Sequence, residues 1–505
     1  MLEKLINIFS YSSKEPLIFT RFYFWAFFAV VMAGYSILYK HQTPRNAYLL
    51  LLSLFFYQKS SGIYVLLLIF SIIVNFYIAN GIYKSGIKSK RKFLVSLSIF
   101  INLFVLAYFK YAYFFVNTIN HIFGTAFKAH NYINIIANSV GNFYLDIDKI
   151  ILPVGISFFT FQIMCYVIDI YRRKLEPLKR LDDFGFYVSF FPQLVAGPIV
   201  RASEFIPQIH KEYRISKFEF GMGVFMILNG LLKKLFISDY IAVNLIDRVF
   251  GNPVAYTGAE NLLAIYAYSM QVYADFSGYT DIAIGVALLM GFRLSANFNS
   301  PYKAINVGEF WKRWHISLST WLKDYLYIPL GGNRKGEFNA NVNLMITMLL
   351  GGLWHGASWQ FVIWGGLNGI AIVIYKQWKK ISPFSGDQSW FTRFYAIFLT
   401  FNFITLTRIW FRGESMQKVD AMMGQILNAF HLNQVGEIAL AYKNIMILLG
   451  FAFFIHWLPE SFKQKYRIFF ANLPLWAMSI VVVIVVIFIY QFQTFELQPF
   501  IYFAF

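Results

Sequence analysis

Long apolar runs separated by short basic stretches set the pattern of the chain. A helix that crosses the hydrocarbon of a bilayer needs about 20 apolar residues. Runs of this kind lie at Leu17–Tyr39, Gly62–Ile82, Phe93–Val116, Ile150–Tyr171, Ala259–Met290, Val342–Tyr375, Phe391–Trp410, Tyr442–Trp457 and Leu475–Tyr490. Two mixed stretches, Ala47–Gln58 and Phe218–Ile246, bring the predicted total to about eleven transmembrane helices. Phe184–Val200 is apolar but short, and Pro192, Gly197 and Pro198 break it. Asn306–Arg334 mixes Trp, Lys, Arg, His and Asp. Both read as re-entrant or interfacial segments. Irregular backbone at membrane depth survives only where protein buries it or water lines it, so these segments predict a cavity. The pattern is that of an all-α, polytopic integral membrane protein. No linker, low-complexity run or repeat interrupts it, which gives one membrane domain over 1–505. N-terminal helices occupy 1–150, a motif-bearing core 151–376 and C-terminal helices 377–505.

Charge gives sidedness. Short cytoplasmic loops collect Lys and Arg, and Lys84, Lys88, Lys90, Arg91 and Lys92 fill one short loop. Ala47–Gln58 and Gly62–Ile82 then form an out-and-back pair, with Lys40 and Arg45 inside. Asn117–Lys149 becomes an outside loop, and Ile150–Tyr171 returns to meet Arg172, Arg173 and Lys174 on the inside. Composition agrees. The 505 residues are 58% hydrophobic and 14% charged, against roughly 25% charged in an ordinary soluble domain. The net charge of +19 would suggest nucleic acid in a soluble chain, but here the basic residues flank apolar runs, so the partner is the lipid bilayer. Met1–Lys14 has neither the apolar core nor the small-residue cleavage site of a signal peptide. The single cysteine, Cys165, excludes an internal disulfide and a Cys-based metal site. It reads as a small packing residue or, less simply, an acyl carrier. No metal site and no tightly bound cofactor is expected.

Eight histidines occur. His41, His121, His130, His210 and His431 lie in polar loops, and His456 sits at a span end. His355 differs, because it lies in Gly-Gly-Leu-Trp-His-Gly-Ala-Ser-Trp within the run Val342–Tyr375. His315 lies in Phe-Trp-Lys-Arg-Trp-His-Ile-Ser-Leu-Ser. An ionisable group inside a span is a functional hypothesis by default, and imidazole is matched to proton transfer near neutral pH. A hydrogen-bonded packing histidine is the alternative in each case. Asp275 and Asp281 interrupt an apolar run together with Ser277 and Tyr279. The four-residue spacings Asp275/Tyr279 and Ser277/Asp281 put each pair on one helix face. They read either as a polar wall that orients a base or as a structural network between helices. Trp311, Trp314 and Leu318 share another face, and that piece reads as an interfacial helix or, with Lys312 and Arg313, as an anion contact. Lys233 and Lys234 read as a helix end at the inner surface. No His-Glu-x-x-His or Gly-x-Ser-x-Gly occurs, so metalloproteases and serine hydrolases of those types lack support.

The blocks Gly155-Ile-Ser-Phe-Phe-Thr-Phe-Gln, Phe191-Pro-Gln-Leu-Val-Ala-Gly-Pro-Ile, Tyr273-Ala-Asp-Phe-Ser-Gly-Tyr-Thr-Asp and Asn297-Phe-Asn-Ser-Pro-Tyr follow one another along the chain. Phe310-Trp-Lys-Arg-Trp-His-Ile-Ser-Leu-Ser, Leu330-Gly-Gly-Asn-Arg and Gly352-Leu-Trp-His-Gly complete the series. Together and in this order they resemble the membrane-bound O-acyltransferase family, in its bacterial branch of alginate O-acetylation and teichoic-acid D-alanylation. The resemblance implies helices around a central tunnel, with His355 and His315 as the catalytic histidines near its waist. It implies Asp275, Ser277, Asp281, Trp311, Trp314, Trp354, Asn299 and Gln193 as supporting tunnel residues, and Lys312, Arg313 and Arg334 as contacts of the acyl donor. Asn368 departs from the family, whose members often carry His there.

The reaction so implied moves an acyl group, acetyl in the first instance, from a cytosolic thioester such as acetyl-CoA to a hydroxyl outside the bacterial cytoplasmic membrane. The acceptor is a polysaccharide, or an extracytoplasmic SGNH-type acetyltransferase partner that relays the group. Polar residues inside spans also fit a transporter or channel for an acylated intermediate, and an envelope scaffold is a third reading.

Overall fold

The structure, a computed structural model, describes residues 16–141, 146–195, 197–384, 386, 387 and 389–492. Met1–Lys14 lies outside the described residues. Among those described, all regular structure is helical. The chain divides into two compact units.

The first unit comprises Met1–Val195, Arg201–Glu212 and Gly356–Ser358. It holds α1 (Phe22–Leu38), α2 (Gln42–Ser61), α3 (Val65–Lys84), α4 (Lys88–Leu106), α5 (Ile156–Tyr171) and α6 (Leu181–Ser189). The chain reverses at Gly62, where φ is 61°. Leu50 and Ile72, on opposite sides of that turn, both lie beside Gly185, so α2 and α3 form the predicted out-and-back pair. Between α3 and α4, Asn75 Oδ1 accepts from Ser98 Oγ at 2.6 Å and from Asn102 Nδ2 at 2.9 Å. Such amide–hydroxyl contacts hold helices together where lipid provides no hydrophobic drive. Arg45 departs from its reading as a loop charge. It is buried in the first turn of α2, and its guanidinium donates to the Ile209 carbonyl at 2.6 Å and the Lys211 carbonyl at 2.9 Å. A buried cation needs such oxygens, and no local pattern shows that segments so distant in sequence supply them. Cys165 is buried with Sγ 3.1 Å from the Gln162 carbonyl, the environment of a packing residue. Gln193, in the short helix Phe191–Leu194, is buried and donates to the Tyr187 carbonyl at 2.6 Å.

The second unit comprises Ala196–Val200, Tyr213–His355 and Trp359–Phe505. Its helices include α7 (Lys217–Leu231), α8 (Gly258–Leu289), α9 (Val307–Arg313), α10 (Ile316–Leu322), α11 (Gly336–His355), α12 (Trp359–Ile381) and α13 (Trp390–Arg412). α14 (Lys443–Trp457), α15 (Glu460–Ala471) and α16 (Leu475–Phe492) follow. Ser216 caps α7 and Thr257 caps α8, each in a reciprocal capping box with the glutamate three residues on. α8 is 32 residues long and mostly buried, so its apolar side chains meet other helices more than lipid.

Four helical stretches among the described residues are long and apolar enough to cross a membrane: Gln42–Lys84, Lys88–Phe123, Lys217–Gly251 and Trp390–Arg412. Two bent pairs raise the number to six if each is one span. The sequence reading counts more crossings for identifiable reasons. Gln42–Lys84 joins two predicted spans through the reversal at Gly62. Val342–Tyr375 is two helices, α11 and α12, that meet at 356–358. Phe22–Leu38 and Ile156–Tyr171 are apolar but shorter than 18 residues.

Candidate functional site

One face of α11 carries Leu344, Met348, Gly351, Gly352 and His355, and these line a cavity of about 510 Å³. The spacing is that of a single helical stripe. The adjacent glycines Gly351 and Gly352 leave room at one turn of the stripe, and His355 is the last residue of α11. The opposite side is built by Trp364, Ile372 and Lys376 of α12 and by Trp311, Lys312, Ile316, Leu318, Lys323 and Tyr327. Three lysines, Lys312, Lys323 and Lys376, therefore border a cavity that is otherwise largely apolar.

α11 and α12 meet backbone to backbone. A Cβ on Gly352 would collide with the Phe361 carbonyl and come within 3.1 Å of the Gly365 Cα. We expect Gly352→Val to force the pair apart, at about 1–3 kcal/mol of stability. His355 lies one turn on, so any activity that depends on its ring is expected to fall by about 10²-fold. Gly366→Ala is the control, since its Cβ meets only Leu349 at 3.4 Å. Thermal unfolding and turnover of both variants check this, and equal behaviour would contradict it.

His315 sits where α9 ends and α10 begins, with φ at 45°. A non-glycine residue in this left-handed region is held there by its surroundings. Asn297 supplies the hold. Its carbonyl accepts from Ile316 N at 3.0 Å, and its Oδ1 accepts from Ser317 N at 3.1 Å and Ser317 Oγ at 2.9 Å. The same Oδ1 lies 3.3 Å from His315 Nδ1. Because Oδ1 is fixed as an acceptor by the Ser317 amide, Nδ1 carries the imidazole proton and Nε2 keeps the lone pair. Complete burial favours the neutral ring.

The two histidines lie with ring centroids 6.4 Å apart. Aromatic rings enclose them. Phe276 of α8 meets His315 at 4.7 Å, and Trp364 and Phe411 each meet His355 at 5.2 Å. Beside His355 is a second, far smaller cavity of about 20 Å³, lined also by Phe276, Asn368, Trp314 and Arg408. Its size is about that of one water. Arg408 is buried in α13, 4.6 Å above the Trp314 ring and 5.5 Å from Tyr302. Asn368, where the family often carries His, donates from Nδ2 to the Trp364 carbonyl at 2.9 Å.

The remaining predicted residues distribute unevenly. Trp354 lies 5.9 Å from His315 and 5.2 Å from His355, ring to ring. Trp311 stacks edgewise on Trp364 at 5.5 Å, and Trp314 is buried against Phe310 and Phe298. Asp275 is buried and pairs with Lys234 at 2.6 Å, while Asp281 accepts from Lys233 and Asn229, each at 2.7 Å. Ser277 is buried on α8 between them. Lys233 and Lys234 are thus not a helix end at the surface, because they lie within the long stretch Lys217–Gly251. Lys312 lines the large cavity, but Arg313 pairs with Glu309 at 2.7 Å and Arg334 is exposed in a turn. Asn299 is exposed and meets Arg313 only through its backbone; Asn297, two residues earlier, is the one that touches His315. Arg408 was legible as a charge inside the run Phe391–Trp410, the same signal that singles out His355.

Comparison with known proteins gives the family of the chain. The family model of MBOAT, the membrane-bound O-acyltransferase family, matches residues 181–413, which include both histidines, Asn297 and Arg408. The chain is 34% identical over 475 residues to the peptidoglycan O-acetyltransferase of Helicobacter pylori, covering 87% of this chain and 86% of that one. It is 38% identical over 414 residues to the "Probable alginate O-acetylase AlgI" of Pseudomonas aeruginosa, covering 79% and 75%. A teichoic acid D-alanyltransferase of Bacillus subtilis is 30% identical over 52% of this chain and 69% of its own. With similarity of this extent along most of its length, the chain belongs to the membrane-bound O-acyltransferase family.

Proposed function

We propose that this chain transfers an acyl group, acetyl in the first instance, from a cytosolic thioester to a hydroxyl outside the bacterial cytoplasmic membrane. The observation that carries the reading is His355 in the wall of a mainly apolar cavity bordered by three lysines. The apolar walls suit an acyl chain, and the lysines suit the phosphates of a donor such as acetyl-CoA. In this reading His355 takes the proton of the acceptor hydroxyl as its oxygen attacks the thioester carbon. The carbon–sulfur bond then breaks, and the thiolate leaves with the proton from His355. General-base help of this kind contributes roughly 10²–10⁴-fold. His315, packed 6.4 Å from the His355 ring, positions that ring, and with its lone pair on Nε2 it does not donate to the oxyanion. Arg408 beside the small cavity supplies positive charge as negative charge develops, a contribution of about 10²–10³-fold for one such group.

The acceptor is an extracytoplasmic polysaccharide or an SGNH-type acetyltransferase that relays the group to it. The names of the relatives, which modify alginate, peptidoglycan and teichoic acid, support a polymer as the final acceptor. In this reading the chain crosses the bilayer about eleven times, counting the four long stretches, the two bent pairs, the two shorter apolar helices, α8, α11 and α12. The test is base-labile acyl ester on envelope polymers. A strain lacking the chain should lose it, wild type should restore it, and Arg408→Met should restore about a hundredth of the rate. Unchanged ester in the deletion strain would refute the assignment.

A further inference from the structure

A separate cavity of about 400 Å³ lies among the stretch following α7, α8, α14, α15 and α16. Its lining divides by chemistry. Asn229, Lys233, Tyr273, His456, Lys463 and Arg467 gather on one side. About one helical turn beyond Lys233, Phe236 meets Phe488 of α16 at 4.9 Å, and Phe451 and Ile484 continue this apolar part.

The charges of the polar side do not cancel. Lys233 is matched by Asp281 at 2.7 Å and Arg467 by Glu460 at 3.3 Å. Lys463 is buried, and its ammonium donates to two neutral oxygens, Ser300 Oγ at 2.9 Å and the His456 carbonyl at 2.8 Å. No carboxylate among the described residues is in ion-pair contact with it. A buried cation without a counter-charge is costly. The uncancelled charge of Lys463 at the wall of the cavity thus calls for an anion from outside the chain.

The apolar side tells where that anion comes from. Ile484 and Phe488 belong to α16, whose Ile480, Val483, Ile484, Val486 and Ile487 are exposed. The cavity wall therefore continues into a surface that, in a membrane-bound protein, faces hydrocarbon. We propose that this cavity holds one anionic phospholipid, its phosphate against Lys463 and Arg467, and its acyl chain along Phe236, Phe451 and Phe488. Basic pockets between membrane helices bind anionic headgroups by this chemistry. The site lies apart from the His355 cavity and shares none of its lining residues.

The test uses the purified full chain in neutral detergent, titrated with phosphatidylglycerol, with phosphatidylcholine of the same chains, or with inorganic phosphate. Binding is read by native mass spectrometry and by the shift in unfolding temperature. The proposal expects one phosphatidylglycerol per chain, bound about tenfold more tightly than phosphatidylcholine. Lys463→Gln removes that preference and Lys463→Arg keeps it. Val485→Trp, which fills the apolar part and leaves every cation in place, lowers binding even if Lys463→Gln fails to fold. Equal binding of the two lipids, no effect of Val485→Trp, or inorganic phosphate binding as tightly as the lipid would each overturn it.

Discussion

Changing His355 to alanine is expected to bring the acyl ester of envelope polymers down to the level of a strain lacking the chain, while the protein still inserts and folds. His355 ends a helix, borders both the large and the small cavity, and is enclosed by Trp354, Trp364 and Phe411. Loss of the ring leaves the helix pair in register, because the α11–α12 contact is made by Gly352 and Gly365. In the proposed mechanism the loss is chemical. Removal of a positioned general base costs roughly 10²–10⁴-fold, below what most polymer assays detect. Gas chromatography of released acetate, with membrane levels of the variant checked by blot, gives the answer. Ester at the wild-type level with the variant present in normal amount would show that His355 is a packing residue.

Lys234→Met is expected to destabilise the second unit strongly. Lys234 is buried between Asp239, at 2.7 Å, and Asp275, at 2.6 Å. All three side chains are almost fully buried. Removing the ammonium leaves two carboxylates facing each other in a low dielectric, and breaking a buried ion pair in this way costs about 3–5 kcal/mol. That is a large fraction of a total stability of about 5–15 kcal/mol for a typical domain. The expected result is a sharp fall in folded protein recovered from membranes and in unfolding temperature. Lys234→Met/Asp239→Asn/Asp275→Asn, which removes all three charges, should recover much of the loss. A single variant as stable as wild type would mean that water or another cation reaches the carboxylates.

Much of the fold was legible because lipid imposes a simple rule on the chain. Apolar runs and basic loops located most of the helices and paired Ala47–Gln58 with Gly62–Ile82 without reference to tertiary contacts. The number of crossings was less legible, since a run such as Ala259–Met290 is apolar for burial among helices as much as for lipid. His315 and His355 stood out for a physical reason, as imidazoles in apolar or aromatic surroundings, and the ordered motifs gave them company. Their neighbours did not stand out. Asn297 and Asn299 both flank Phe298, and only the turn at His315 decides which one caps α10. Lys233 and Lys234 resemble a surface pair until Asp275 and Asp281 are brought across from α8. Arg45 resembles a loop charge until the carbonyls of 209 and 211 arrive. In each case a charge is satisfied by a partner far away in sequence, and a single sequence holds no record of that pairing. Arg408 is the opposite case, since its signal was present in the run Phe391–Trp410.

The most direct test uses inside-out membrane vesicles that enclose envelope polysaccharide and contain the chain at known level. They are supplied outside with acetyl-CoA labelled in the acetyl group. Free thiol is measured in the outer solution and label on the enclosed polymer. Wild-type vesicles should release thiol in step with label gained by the polymer, and His355→Ala vesicles should do neither. Thiol release and polymer labelling that continue unchanged with His355→Ala, or label that enters still joined to its thiol carrier, would contradict bond-making at His355.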